Sequence, residues 1–465
     1  MSSINTLHIG RTGLKTASYG VEVAGQNVTN ASTEGYVRRR LVSQTRVPHR
    51  TADGVYKGQG VTVAAVARDI DRFATERAFE AMGDESMAST ASETLKIAEA
   101  NFREGDTSSI SDRLDKFFDS LTELTSEPSD HGLRSAARDS GQDLVDAVNR
   151  GGAALLDSIR RAEDRITDEL NSVNKILDEI RVLNKRISDS DAINGPADLM
   201  DARDGLVETL AQKVGVDVDY KANGQISLFV GGHALVQDVH VRNFVTDTDP
   251  TTGRLSVQIT ASGDAAITVD AFMSGEIGGL IAARDQSQSS LDSLDEFTEE
   301  FVDEINAQHS SGFDAYGSPG LDFFTLPGGF TNASTSMALD SVLATDINLI
   351  AAAGAPSAEV GDGDNLTNVI DVENTKLFGG GTQNSREFVA SIYADLGNAI
   401  VGFEVDATTH GAIMSDLNSL KESTSKVDLD EEAVSLMQYQ AAYQAAARVV
   451  TAADDLLNEL MQTVR

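Results

Sequence analysis

Cysteine is absent from the 465-residue chain. That excludes disulfides, thiolate nucleophiles and cysteine-ligated zinc or iron–sulfur sites. Tryptophan is absent too, and the seven prolines leave the whole of 357–465 free of helix-breaking rings. Basic residues are scarce: 37 Lys+Arg stand against 73 Asp+Glu, a formal net charge of −36. Phosphate recognition needs a basic footprint, so no nucleic-acid partner is expected. No apolar run approaches the ~18–20 residues of a membrane span, so none is expected. The stretch from Met1 to Gly10 shows no basic segment followed by an apolar one, so no Sec-type signal peptide is expected either. What is present suffices for a core: 40% of residues are hydrophobic, and the length points to about three domains.

Both ends of the chain carry heptads. Leu7, Leu14, Val21 and Val28 recur every seven residues from about Ile4 to Ala31, with Gly10, Ala17, Ala24 and Ala31 three residues after each. Large a and small d positions of this kind suit close helix packing. From Asp430 to Val464 the same spacing returns. Leu436, Tyr443, Val450, Leu457 and Val464 form one row, and Tyr439, Ala446, Ala453 and Leu460 sit at the d offset. Residues 1–60 carry eight Lys/Arg and three Asp/Glu, whereas 421–465 carry four and eight. Opposite charge favours pairing of the two ends, although exposed ion pairs are each worth only ~0–1 kcal/mol. Such helices need further partners to bury their faces.

Between the ends, 36–67 is expected to be extended, as a hairpin or pair of strands. From Asp69 to Ile187 the pattern is helical, with Pro128 and Gly151-Gly152 as expected breaks. Ile159, Ile166, Val173, Ile180 and Ile187 form a strict heptad row there, with Leu170 and Leu177 beside it. Asp191 to Pro196 should end this helix, and Asp198 to Val214 should form a shorter one. At Val216 the period becomes two, and Asn223-Gly224 marks a hairpin turn. Strands are expected near 239–245, 254–260 and 266–269. Helix returns at about 276–307 and 386–421, with irregular sequence over 312–373.

Sites of chemistry are hard to find. The seven histidines, His8, His49, His131, His233, His240, His309 and His410, are scattered without paired spacing. Gly361-Asp-Gly-Asp-Asn365 starts like a calcium loop, but Leu366 and Thr367 fall where an oxygen ligand and a glycine are needed, so an acidic turn is expected. There is no GxSxG or Walker A sequence, and Gly379–Gly381 reads as a linker. The sequons at Asn27, Asn30, Asn332 and Asn365 read as chance. Arg38-Arg39-Arg40 reads either as a solvated strand face or as a contact to an acidic neighbouring subunit.

Several segments, in order, resemble one family. Gly25-Gln-Asn-Val-Thr-Asn-Ala-Ser-Thr-Glu-Gly-Tyr36 is similar to the Asn-x-x-Asn-x-x-Thr-Pro-Gly-Tyr motif of flagellar axial proteins, through Asn27, Asn30, Thr33, Gly35 and Tyr36, with Glu34 where proline is usual. Gly58-Gln-Gly-Val-Thr-Val63 and Arg68-Asp-Ile-Asp-Arg-Phe73 resemble the next block. Ala197-Asp-Leu-Met-Asp-Ala-Arg-Asp-Gly-Leu206, carrying Asp198, Asp201, Arg203 and Asp204, resembles a block of the hook-associated protein 1 family, the first hook–filament junction proteins. Gly275 to Leu280 with Arg284-Asp285, Asn306, His309, Gly312, Gly317 and Phe323-Phe324 resembles a second such block. Glu431 to Tyr443 resembles the closing helix of the axial proteins.

The resemblance implies a structural subunit with no active site, cofactor or metal. Its terminal helices would line a tubular polymer. Its partners would be further copies in a ring, the hook protein, the second hook-associated junction protein, and an export chaperone at the C-terminal helix. It would be extracellular, exported by the flagellar type III route without a cleaved signal. The expected fold class is mainly α with inserted β. A terminal coiled-coil domain is expected over 1–65 and 422–465, including an extended hairpin at 36–67. A helical middle domain is expected over 66–213 and 272–421, and a small antiparallel β domain over 214–271. The alternatives are another axial protein such as a hook protein, a secreted helical effector or translocator, or a cytoplasmic enzyme.

Overall fold

The computed structural model describes residues 2–463 apart from 34, 51–53, 104–108, 191–195, 222, 251–252, 261–264, 271–272, 329–331 and 357–360. In chain order the first elements are α1 (Ser2–Asn30), β1 (Arg39–Thr45), β2 (His49–Arg50), β3 (Tyr56–Lys57), β4 (Val61–Arg68), α2 (Arg72–Arg103), α3 (Ile110–Ser126), α4 (His131–Ser188) and α5 (Ala197–Val214). Strands β5 (Asp217–Tyr220), β6 (Ile226–Val230), β7 (His233–Gln237), β8 (His240–Val241), β9 (Asn243–Thr248), β10 (Leu255–Thr260) and β11 (Ile267–Thr268) follow. The remainder comprises α6 (Gly275–Ser311), β12 (Phe324–Thr325), α7 (Ala333–Ser336), β13 (Ala338–Leu339), α8 (Ser341–Thr345), α9 (Asp364–Asp371), α10 (Ser385–Ser425) and α11 (Leu429–Thr463). The fold is mainly α with inserted antiparallel β, as the sequence pattern predicts. The chain divides into two compact units. One holds Met1–Glu85, Leu170–Gly275 and Thr409–Arg465, and the other Ser86–Glu169 and Glu276–Thr408.

In the first unit, α1 packs on α11. After α1 the chain turns through Gly35, whose φ of +74° is a left-handed conformation that suits glycine. It then enters β1, which pairs antiparallel with β4 in a register that shifts at Val42/Ser43. The segment 214–271 forms two antiparallel sheets, ordered β5-β6-β7-β8 and β11-β10-β9. The turn expected at Asn223-Gly224 is wider than a two-residue hairpin. Tyr220 pairs with Ile226, five residues join the strands, and Gly224 takes a φ of +83°. Val173, Leu177, Ile180 and Ile187 of α4 are buried, as are Ile226, Leu228, Phe244 and Val257 of the sheets.

In the second unit, the core is rich in phenylalanine. Phe117 lies within 5.4–6.3 Å, centroid to centroid, of Phe118, Phe301, Phe323 and Phe324. Phe378 stacks on Phe388 at 4.9 Å. Pro128 does fall between helices, but Gly151-Gly152 does not break one: α4 runs straight through it. The two glycines serve packing instead. A Cβ on Gly151 would come 3.1 Å from the Phe102 ring, and one on Gly152 would come 2.6 Å from Ser334 Oγ. A helix tolerates internal glycine at about 1 kcal/mol each, which close packing can offset. The 361–365 segment is an acidic turn. The Asp362 carboxylate accepts from the backbone N–H groups of Gly354 and Asp364, and α9 starts there. By length and composition alone, one stretch within 385–459 would suffice to cross a membrane. Asp395 and Glu404 lie along it, and Glu404 pairs with Lys96 at 2.5 Å.

Candidate functional site

The pairing of α1 with α11 is antiparallel and close. A Cβ on Gly10 would stand 2.7 Å from Val450 Cγ2, one on Gly13 would stand 3.3 Å from Ala446 Cβ, and one on Gly20 would run into the Tyr439 ring. The buried line on α1 is therefore its small-residue stripe, with Ala17 and Ala24 buried along it, and Ala453 is buried on α11. Leu7, Leu14 and Val21 are half-buried on its flank. Leu436, Tyr439, Val450 and Leu457 are half-buried on α11. Two residues of the predicted rows stand outside this seam: Val28 is 41% exposed and Tyr443 47%. The reason is geometric. The glycines of α1 make the room that Val450 and Tyr439 of α11 occupy, so the closest approach follows the small residues and not the large a row of α1. The Leu460 side chain and Val464 lie outside the described residues, as does Glu34.

The motif residues after α1 form a bonded corner. Asn30 Nδ2 donates to the Gln26 carbonyl, Thr33 N–H donates to the Asn30 carbonyl, and Tyr36 N–H donates to the Thr33 carbonyl. Asn27 is buried and holds β1 by both backbone groups of Arg39. Its Nδ2 donates to the Arg39 carbonyl at 2.9 Å, and its Oδ1 accepts from the Arg39 N–H at 3.0 Å. Tyr36 donates its hydroxyl to the same Oδ1 at 2.9 Å, and the Arg39 guanidinium lies 4.8 Å from the Tyr36 ring centroid.

That corner is tied to the Asp198–Asp204 block. Arg39 pairs with Asp198 and, at 3.1 Å, with Asp201. Arg68, at the end of β4, reaches Asp201 and Asp204, each at 2.8 Å. Arg203 is buried, sits against Asp204 at 3.2 Å, and donates to the Gly224 carbonyl at 2.7 Å and to Asn184 Oδ1 at 3.4 Å. Three guanidinium groups thus face three carboxylates. Burial pushes Asp201 above the usual carboxylate range against the pull of Arg68 and Arg39. Burial likewise lowers Arg203 below its ordinary value, and Asp204 only partly restores it. Breaking such a buried network from one side typically costs several kcal/mol, about 3–5.

In the Arg38-Arg39-Arg40 run, Arg40 stays exposed, whereas Arg38 and Arg39 turn to acidic groups of their own chain. Arg38 reaches Glu431 at 2.9 Å and Glu432 at 2.8 Å on α11, Arg39 joins the α5 network, and Arg40 meets Asp69 at 3.3 Å. The acidic partners belong to the same chain. Arg284 and Asp285 lie on α6, in the second unit. There Arg284 is buried and contacts its neighbour Asp285 at 2.8 Å. Sequence reading missed Arg68 as a network member and Asn184 altogether. Among the described residues no group of three or more His, Asp or Glu could hold a metal. The arrangement is suited to fixing one element on another.

Comparison with known proteins gives this arrangement a class. Residues 95–324 match the family described as flagellar hook-associated protein FlgK helical domain, and residues 422–463 match flagellar basal body rod FlgEFG protein C-terminal. Flagellar hook-associated protein 1 of Salmonella typhimurium is 25% identical over 99% of this chain and 100% of its own length. The Escherichia coli protein of that name is 24% identical over the same shares, and the Bacillus subtilis one is 26% identical over 99% and 98%. The solved flagellar hook junction protein FlgK from Burkholderia pseudomallei shares the fold, with a TM-score of 0.66 and 16% identity over 75% of this chain and 100% of that one. A terminal helix pair closed by a rod-type C-terminal segment defines a flagellar axial protein. Within that class, the chain belongs to the flagellar hook-associated protein 1 family, structural components of the bacterial flagellum at the hook–filament junction. It is thus part of an extracellular appendage and associates with other flagellar components.

Proposed function

We propose that this chain polymerises through its terminal helices into a ring that joins hook to filament. Hook protein would lie on one side and the second hook-associated junction protein on the other. The observation that supports this reading is the helix pair itself. After α1 and α11 have closed on each other, Val28, Val434, Met437, Tyr443 and Leu456 are still exposed on it. Large apolar residues that a closed helix pair leaves exposed are available for further contacts. The protein works by contact rather than by turnover. Before assembly, α11 binds an export chaperone through the row Leu436, Tyr443, Val450 and Leu457, and the chain leaves the cell by the flagellar type III route.

The test is the double substitution Val450→Asp plus Leu457→Asp. Both side chains are half-buried at the seam, and an unpaired charge there is costly enough to expose the helix. The expected result is a soluble chain, folded outside the terminal helices, that fails to build junctions, so that flagellin is shed into the medium. Co-purification with the chaperone and the amount of secreted variant are measured alongside, which separates a lost export contact from a lost junction. Normal filaments on cells carrying the variant would refute the proposal.

A further inference from the structure

The hairpin of β2 and β3 pairs His49 with Lys57 and Arg50 with Tyr56. Two residues per strand build no core: Val47 is 85% exposed and Tyr56 69%. An isolated two-stranded ribbon is marginal in water, and it gains stability by packing on something else. Its base is tied to its own α1, since Asn5 Nδ2 donates to the Gly58 carbonyl at 3.4 Å and Arg46 meets His8 at 3.0 Å. Its apolar side chains nevertheless stay uncovered in the single chain.

Charge says what covers them. In a chain of net −36, this hairpin presents Arg50 and Lys57, with the Arg50 guanidinium 6.0 Å from the Tyr56 ring centroid. The last turns of α11 present the complement. Leu456 is 53% exposed and Met461 72%, and the exposed carboxylates of Asp454, Asp455 and Glu459 flank them. We infer that the hairpin of one copy docks on the C-terminal turns of α11 of the next copy. Val47 and Tyr56 lie against Leu456 and Met461, and Arg50 and Lys57 lie against the carboxylates. The two surfaces differ, so the contact is heterologous and passes from copy to copy instead of closing a dimer. Complementary charge fixes partner and register there more than it adds affinity. This inference rests on the proposed polymerisation and names the surfaces that carry it.

The missing cysteine makes the test clean. The full chain carrying Tyr56→Cys and Leu456→Cys is expressed in motile cells, and assembled flagella are oxidised. Disulfide-linked dimers and higher multimers are expected from the double variant, and none from either single variant. In parallel, Arg50→Glu plus Lys57→Glu is expected to lower the number of assembled junctions about tenfold, and Asp454→Lys plus Asp455→Lys in the same chain is expected to restore them. Junctions that form normally without any 56–456 cross-link, or that ignore the charge reversal, would overturn the docking while leaving the proposed function intact. Failure of the proposed function itself is read separately, from normal filaments on the Val450→Asp plus Leu457→Asp cells.

Discussion

Among the described residues, four asparagines on helices each hold one strand residue by both of its backbone groups. Asn27 grips Arg39, Asn174 grips Phe244 with both bonds at 2.8 Å, Asn184 grips Ile226 at 2.9 and 3.2 Å, and Asn306 grips Phe324 at 2.8 and 3.0 Å. A carboxamide carries one acceptor and one donor side by side, so it can pair with a strand edge as another strand would. Removing it orphans two backbone groups. Asn184→Ala should therefore cost about 2–4 kcal/mol and speed hydrogen exchange at Ile226, and unchanged urea midpoints would refute the role. Asn27 and Asn306 were marked by sequence, as members of family-like blocks. Asn174 and Asn184 sit 70 and 42 residues from their partners, and no local pattern announces them. His309 is a further case. Its Nε2 accepts from the Ala351 N–H at 2.9 Å, and its Nδ1 lies against the Leu321 carbonyl, which fixes the neutral tautomer. Burial lowers its pKa from 6.5, against the pull of the Leu321 carbonyl, Asp322 and Asp340 and with the help of Arg134. Below about 6.5 the unfolded chain takes up a proton that the folded one refuses. The stability is thus complete above that pH and lost as pH falls through the lowered folded value. Urea melts from about pH 7 to about pH 5 should fall more steeply for the parent than for His309→Gln, by at most about 1.4 kcal/mol per pH unit.

At the scale of elements, periodicity was the most readable signal. The rows Leu7–Val28, Ile159–Ile187 and, over its described residues, Leu436–Leu457 each fall on a helix where the sequence places one. What periodicity could not give was the rotation of α1 on α11. A heptad row marks an apolar stripe, but the approach distance is set by the smallest residues, here Gly10, Gly13 and Gly20. The same residue type was misread at Gly151-Gly152, because a glycine that breaks a helix and one that admits a neighbouring ring look alike in sequence. The seam yields a test in which propensity and packing oppose each other. Leucine for glycine in a helix normally gains up to about 1 kcal/mol. Gly20→Leu should instead part the two terminal helices, because its side chain would have to occupy the place of the Tyr439 ring. A cysteine pair placed across the seam should then lose its cross-link, whereas one that still forms would show that α11 can shift to make room.

At the scale of the whole molecule, composition and order of elements were legible, and long-range closure was only partly so. The opposite charges of the two ends foretold their meeting. The bonds that lock them, from Arg38 to Glu431 and Glu432, span nearly 400 residues, and Arg39 and Arg68 reach across to α5 by partners no local reading could assign. The division into a terminal part, a helical part and a β part is proposed. In limited proteolysis of the purified chain, 1–35 and 430–465 should be cut before the remainder, and early cuts in the middle that spare both ends would count against it. The antiparallel closure of α1 on α11 also dictates timing. Gly10 finds Val450 and Gly20 finds Tyr439, so α1 has no mate until α11 is made, more than 400 residues later. At ordinary synthesis rates that wait is roughly 20–90 s. Closing so long a loop is entropically dear but grows only slowly with length. Throughout that interval the N-terminal stripe of glycine and alanine exposes little apolar surface to mispair. The interior domains can therefore fold first, and the clasp that readies the subunit for its neighbours shuts last.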